Sequence, residues 1–395
     1  MRTDHDLIQL LDDEPPVPSA VDVRGAIAAG RRRRTVHRAG WAGATATALA
    51  VAAVLTVNGD LVTPRPAPTE VAGPLRPPTS CTVHDLPGVR DSRMTGVNVT
   101  GADYSGHYFA GRTEPTATAV RWADGQGLIT DLPGDGKSAF TDVNSSGMVV
   151  GWRYAKDDDA EPVPFTVVQG AVSPLPGVER GFPFAVNDSA VVVGQSGGFA
   201  VRWSSALDGA VRLPVPPGTQ RSSAVAIDRD GTIAGTVIGA ADWRAVVWLP
   251  DGSRRELESP DIDGTRASVA TAIDIRNGWV VGSAATTAQT PTKDVVRDVV
   301  KSVTVRWSVE TGEAEVIDEA AVQVSAVTAD GWLVGADASG RPVMVAGDTT
   351  VALPLPADSQ AATDSRYTVS DDGRIVTGLI VDSSATRRPV VWRCS

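Results

Sequence analysis

Histidine is scarce in this chain, and that shortage removes whole classes of chemistry. Only four occur in 395 residues; His5 and His37 lie near the N-terminus, which leaves His84 and His107 for everything else. A catalytic zinc centre calls for several His, Cys or carboxylate ligands, and a Ser-His-Asp triad for a positioned imidazole. His84 falls in an alternating strand pattern and His107 at a variable repeat position, so neither is expected to be catalytic. The chain is read as not an enzyme, with no metal and no cofactor. Cysteine is limited to Cys81 and Cys394, too few for a disulfide-rich scaffold. Net positive charge is missing as well. A formal charge of −11 gives none of the basic footprint that nucleic acid requires. Only four of the 36 basic residues are lysine, a bias expected of a high-GC bacterium.

Charge is unevenly placed. Residues 1–38 carry seven Arg against six Asp and Glu, a basic tail ending in Arg31–Arg34 and Arg38. Residues 39–57 (AGWAGATATALAVAAVLTV) then hold no charge at all. As a helix they would measure about 28 Å, near the hydrocarbon thickness of a bilayer. Arginines before the run and Asn58-Gly59-Asp60 after it match the positive-inside pattern, placing the N-terminus in the cytoplasm. A cleaved signal peptide, with Ala48-Leu49-Ala50 as the processing site, is the competing reading. Residues 58–80 contain six prolines and read as an extended linker. The domain plan is therefore 1–38 cytoplasmic tail, 39–57 single-pass transmembrane helix, 58–80 linker and 81–395 a cell-surface domain.

That last domain is repetitive. A turn residue, a Gly, three or four strand residues and another Gly recur as DYSGHYFAG (103–111), NSSGMVVG (144–151), NDSAVVVG (187–194), DRDGTIAG (228–235), RNGWVVG (276–282), TADGWLVG (328–335) and SDDGRIVTG (370–378). The first Gly, or Ala190 in the third copy, is spaced by 41, 43, 41, 47, 53 and 42 residues. Each copy is followed by a second apolar run, such as AVRW (119–122) or PVVW (389–392), and commonly by a third ending Leu-Pro. A further run leads into each turn. Four short antiparallel strands at a period near 44 predict a blade, and the count predicts a seven-bladed all-β propeller.

The last copy lacks its Leu-Pro strand, while CTVHDLPG (81–88) stands alone ahead of the first. The N-terminal strand is expected to complete the last blade and remove two open sheet edges. Aligning CTVHDLPG with GLITDLPG (127–134) sets Cys81 against Gly127 and Cys394 against Asp124, which flank one hairpin turn. A Cys81–Cys394 disulfide follows, and with it an oxidising compartment. In the chain-entropy account a loop of this size is worth roughly 5–6 kcal/mol.

The alternation of Ala-x-x-Asn-x-x-Gly-x-Val-Val-Gly, Ala-x-x-Trp and Leu-Pro segments resembles the HAF family of extracellular repeats, most clearly in NSSGMVVG, NDSAVVVG and AVRW. The likeness covers about residues 92–394. It implies an extracellular propeller-like fold and brings no catalytic residues. The His-Ala-Phe triplet is absent, with Thr118-Ala119-Val120 or Phe199-Ala200-Val201 in its place. The Arg-terminated tail is similar to those of actinobacterial single-pass proteins.

Candidate binding residues are aromatic. Trp122, Trp203, Trp248, Trp307 and Trp392 share one repeat position and read as blade packing. Trp152, Arg153, Tyr154, Trp243, Trp279 and Trp332 lie outside it and are the ligand-binding candidates, with the insertion at 283–303 as a possible binding loop. Most carboxylates, Asp228, Asp230, Asp251, Asp330, Asp371 and Asp372 among them, sit in turns, where Asp has a structural role. The expected function is a monomeric, non-catalytic binding module for a protein or cell-envelope glycan. Two alternatives stay open: a carbohydrate-active enzyme using carboxylates at the propeller centre, and a sensor signalling through the tail.

Overall fold

A computed structural model describes residues 76–395 except 88–95, 104–107, 115–118, 124–125, 131, 133–136, 155–161, 293–295, 297, 318–322 and 362–365. The tail, the expected membrane span and most of the linker thus lie outside the described residues. Among the described residues no helix is long and apolar enough to cross a membrane.

All regular structure described is β-strand. Four antiparallel meanders of four strands form separate sheets, beginning at Gly96–Ala102, Ser138–Val143, Phe182–Val186 and Gln323–Val327. An eight-stranded sheet holds two further meanders, one from Arg221–Ile227 to Arg254–Glu256 and one from Val269–Arg276 to Ala314–Ile317. They are joined through a single parallel bridge between Trp243 and Val269. A five-stranded sheet gathers Ser359–Ala361, Thr368–Val369, Ile375–Asp382, Arg387–Cys394 and, from the other end of the chain, Cys81–Asp85. The first strand of each meander neighbours the first strands of the meanders before and after it, so these inner strands enclose a common centre.

Local chemistry explains the repeat. Asn144 Oδ1 accepts from the N–H groups of Ser146 (3.2 Å) and Met148 (3.0 Å), and Asn187 does the same for Ser189 and Val191. Such a side chain fixes the turn that the next residues must complete with positive φ. Gly147 supplies φ 75°; in the third copy Ala190 is held at 60° without glycine's freedom. The second Gly of the motif has another cause. The first strand of each of the six four-stranded meanders carries a bulge, for example between Phe140 and Asp142 and between Ala272 and Asp274. The bulge pushes a carbonyl toward the neighbouring strand: a Cβ at Gly151 would sit 2.3 Å from Ala139 O, and one at Gly282 only 1.9 Å from Thr271 O. Only glycine fits there.

Each hydrophobic cluster is shared by two successive meanders. Phe140 and Phe165, for instance, pack with Ala110 and Ala119 of the preceding one, and Leu175 packs with Trp203 of the following one. Leu86, Ile375 and Val391 of the five-stranded sheet pack with Ala102, Phe109 and Trp122 of the first meander, so last meets first. The recurrent tryptophans are buried and obey one rule. Each Nε1–H donates to the carbonyl just after a buried leucine that follows the outer strand of the preceding meander: Trp203 to Pro176, Trp248 to Pro214, Trp307 to Glu258 and Trp392 to Pro354, all at 2.7–2.8 Å. Trp122 follows the same rule by donating to Pro87 at 3.1 Å, although Pro87 follows the N-terminal strand.

The N-terminal strand therefore serves as the outer strand of the last sheet. Its register differs from the expectation by two residues. Trp392 faces Val83, and Cys81 faces Cys394 directly rather than across a hairpin turn. In four of the other meanders a buried Leu lies three residues beyond the partner of the tryptophan position, as with Val172 and Leu175, and Val83 and Leu86 keep that spacing. In the first meander Trp122 pairs with Gly127, five residues before Leu132, so that copy was the misleading template. The Cys81–Cys394 disulfide is present, with Cα atoms 4.0 Å apart across 313 residues of sequence. An Arg388–Asp85 ion pair and backbone bonds between Ser80 and Ser395 reinforce the seam.

Candidate functional site

The inner strands and their turns bring charged side chains from three meanders and the five-stranded sheet to the centre. At the position after the bulge the copies carry Gly101, Asp142, Ala185, Ala226, Asp274 and Ala326. Two of them replace a small residue with a carboxylate. Asp142 Oδ2 accepts from Val186 N–H (2.9 Å), and Asp274 Oδ2 accepts from Val327 N–H (3.0 Å), each tying its meander to the next. Gly101 leaves room for Asp142, since a Cβ there would come within 2.8 Å of Oδ1.

Arg276 takes the turn position occupied by Asn144 and Asn187 elsewhere, because its hairpin is a residue shorter and turns on Asn277 (φ 47°) and Gly278 (φ 79°). Its Nη1 lies 3.4 Å from Asp274 Oδ1 and its Nε 3.5 Å from Asp371 Oδ1. Arg229 Nη2 approaches Asp371 Oδ2 at 2.8 Å. Asp228 accepts from Gly278 N–H at 2.9 Å. Four carboxylates and two guanidiniums thus share one centre.

Burial dominates the titration of two of them. Asp142 keeps a little solvent contact, yet protein surrounds the carboxylate and raises it to about 7, against the lowering effect of the Val186 N–H and of Arg276. Asp371 is raised to about 6, again by burial, with Arg276 and Arg229 opposing. Carboxylic acids that hold protons near neutrality in one place can serve proton transfer or pH sensing. Among the described residues no group of three or more His, Cys, Asp or Glu side chains is arranged to hold a metal. Asp230, Asp251 and Asp372 do accept turn N–H groups, from Thr232, Ser253 and Arg374.

The aromatic candidates divide. Trp152 and Tyr154 meet edge to face at 5.3 Å, and Trp152 also contacts Phe182 at 5.9 Å, which stacks on Phe184 at 6.2 Å. All four are half-buried, as is Arg153. Phe182 and Phe184 were not among the sequence candidates; the Phe-Pro-Phe run in an inner strand was their signal. Trp332 is buried over Gly373 of the next sheet, where a Cβ would lie 2.9 Å from its ring. Trp279 lies against Gly331, with the Arg306 guanidinium 4.8 Å from its ring centre and Arg306 Nη1 donating to Gly331 O. Tyr108, Gly147 and Arg121 repeat that arrangement. Trp279 and Trp332 therefore each bridge adjacent sheets. Trp243 is half-buried and donates to Thr292 O at 2.9 Å, inside the insertion. Much of that insertion is a hairpin extension, Trp279–Thr287 paired with Val299–Ser308. His84 is exposed beside Thr82 Oγ1 (3.1 Å); His107 lies outside the described residues.

No protein-family model matches the chain, and no curated protein matches it. Solved structures do. A catalytically inactive virginiamycin B lyase from Staphylococcus aureus with quinupristin is similar at 12% identity and TM-score 0.51, over 80% of this chain and 100% of that one. A streptogramin B lyase aligns at 10% identity and TM-score 0.49, over 80% and 98%. YCF48 bound to D1 peptide aligns at 11% identity and TM-score 0.47, over 81% and 98%. The likeness to the virginiamycin lyase shows the fold, which is all-β and propeller-like. It also overturns the expectation of a non-enzyme: a lyase is built on this fold, so the architecture is no ground for excluding catalysis.

Proposed function

We propose that this chain is a membrane-anchored, extracytoplasmic propeller that binds a protein, or secondarily a cell-envelope glycan, across the face formed by its inner turns. Seven blades result when the eight-stranded sheet is counted as two, since one parallel bridge alone joins its halves. A disulfide between the ends of the domain favours an oxidising compartment. The uncharged run 39–57 behind a basic tail favours a single-pass anchor with the N-terminus inside. Membership of the HAF-repeat family and a monomeric state belong to the same reading.

One observation carries the binding role. The turns are bonded into a preorganised surface: Asn144 Nδ2 donates to Asn187 O (3.0 Å), Asn187 Nδ2 to Asp228 O (3.2 Å), Asn277 Nδ2 to Ala329 O (3.1 Å), and Ala329 N–H to Asp371 O (2.9 Å). On that rigid frame Asp188, Arg229, Asp230 and Asp372 are exposed. A fixed polar face loses little entropy on association. The test is retention of envelope proteins and of peptidoglycan on the immobilised full chain, with Arg229→Ala/Asp230→Ala beside it. Retention that the double variant loses supports the reading. Equal retention by both, or none by either, counts against it.

A second reading is a carbohydrate-active enzyme using the axial carboxylates, favoured by Asp142 and Asp371 retaining protons near neutrality. Its test is release of reducing ends from peptidoglycan and a polysaccharide panel. Asp142→Asn and Asp371→Asn would each have to abolish any activity found.

A further inference from the structure

We propose that Asp371, held between Arg229 and Arg276, is the acid-releasable pin of a clasp across the centre of the ring. The partners come from sheets that are not neighbours. Arg229 rises from the turn of the Arg221–Ile238 hairpin and Asp371 from the turn before Ile375–Asp382, with the meanders starting at Val269 and Gln323 between them. A 2.8 Å pair between such residues has to cross the middle. Arg276, from one of the intervening meanders, adds its Nε at 3.5 Å and keeps its Nη1 on Asp274.

The charged groups acting on Asp371 are Arg276, Arg229, Asp228 and Asp274. Those acting on Asp142, deeper in the same centre, are Arg276 and Asp274. With all four carboxylates ionised the six groups sum to −2. With Asp142 and Asp371 protonated they sum to zero. Burial sets Asp371 at about 6, so it passes from carboxylate to acid between pH 7.5 and 5. Once neutral it no longer attracts Arg229, whose side chain is 57% exposed and returns to water. Arg276 retains Asp274. Acid therefore unties the far side of the ring from its centre while relieving the burden of buried negative charge. Local pinning and global stability move in opposite directions with pH, which separates this device from ordinary acid loosening.

The experiment is amide hydrogen exchange on the full chain at pH 7.5 and 5, corrected for the intrinsic pH dependence. The reporters are Gly231 and Gly373 in the two turns and Ala329, whose N–H bonds Asp371 O. Their protection is expected to fall about fivefold at pH 5, the effect of losing a pair worth about 1 kcal/mol. Inner-strand amides such as Val186 are expected to hold. Asp371→Asn is expected to show the pH 5 pattern at both pH values. Arg229→Gln is expected to do the same without touching a buried carboxyl, which covers the case of a variant at 371 that folds poorly. Equal protection at the two pH values would overturn the proposal. So would an Arg229→Gln protein with wild-type pH dependence, or a loss spread evenly over all sheets.

Discussion

Replacing Asp142 with Asn is expected to stabilise the protein most at pH 8, less at pH 5, and not at all below about pH 4. Burial raises the Asp142 carboxyl from 3.8 to about 7. A folded-state value above the unfolded one means that the folded chain binds the proton more tightly. The stability this contributes is fully present below about pH 4 and is lost as pH rises through about 7. About three pH units at 1.36 kcal/mol each gives about 4 kcal/mol as the full difference between the ends of that window. Asn carries no charge at any of these values. Its side-chain oxygen can still accept the Val186 N–H, 2.9 Å away from Oδ2 in the wild type. The loss is attraction to Arg276, which already has Asp274 at 3.4 Å. The net gain at pH 8 is thus expected between about 1 and 4 kcal/mol, or several degrees in Tm. Denaturant unfolding of both proteins at pH 5 and 8 measures it, and the difference between them isolates Asp142 from the other carboxylates. A variant less stable than wild type at pH 8, or equally displaced at both pH values, would refute the buried-carboxylate reasoning.

Other substitutions probe the repeat itself. Ala190→Gly is expected to stabilise by about 1 kcal/mol in thermal unfolding, because Ala190 holds φ 60° where five other copies have Gly at positive φ. Gly282→Ala is expected to destabilise by about 3 kcal/mol or to prevent folding, judged by denaturant midpoint, since its Cβ would lie 1.9 Å from Thr271 O. Trp122→Phe removes the donor to Pro87 O and leaves that carbonyl without it. A loss of about 1–2 kcal/mol in urea unfolding is expected, together with faster proteolysis ahead of Gly96.

The strand periodicity, the turn residues and the packing role of the five recurrent tryptophans could be read from the chain because each depends on local spacing. The closing strand was legible for the same reason, through its Leu-Pro ending. Its register was not. A strand joined to its partner by no hairpin is positioned by where Leu86 and Val83 pack, and the first repeat, taken as template, spaces its leucine differently. The axial cluster was missed because Asp228 and Asp371 look like ordinary turn residues, and their convergence depends on how meanders far apart in sequence are arranged. A signal did exist. Asp142 and Asp274 interrupt inner-strand runs at a position where four other copies have Gly or Ala, and Arg276 stands where others have Asn, Asp, Thr or Ser. Deviations from a repeat mark its specialised places better than the consensus does. The aromatic candidates show the converse: for Trp279 and Trp332 packing and ligand binding both stayed open in the sequence, because the glycines they cover, Gly331 and Gly373, belong to the next copy.

Closure of the ring by the N-terminal strand underlies both the proposed binding face and the proposed clasp, and peptide mapping of the intact chain without reduction tests it most directly. After alkylation and digestion, the account predicts one peptide pair joining Cys81 to Cys394 through a disulfide, split only by reductant. Recovery of both cysteines as alkylated free thiols from protein made in an oxidising compartment would contradict it.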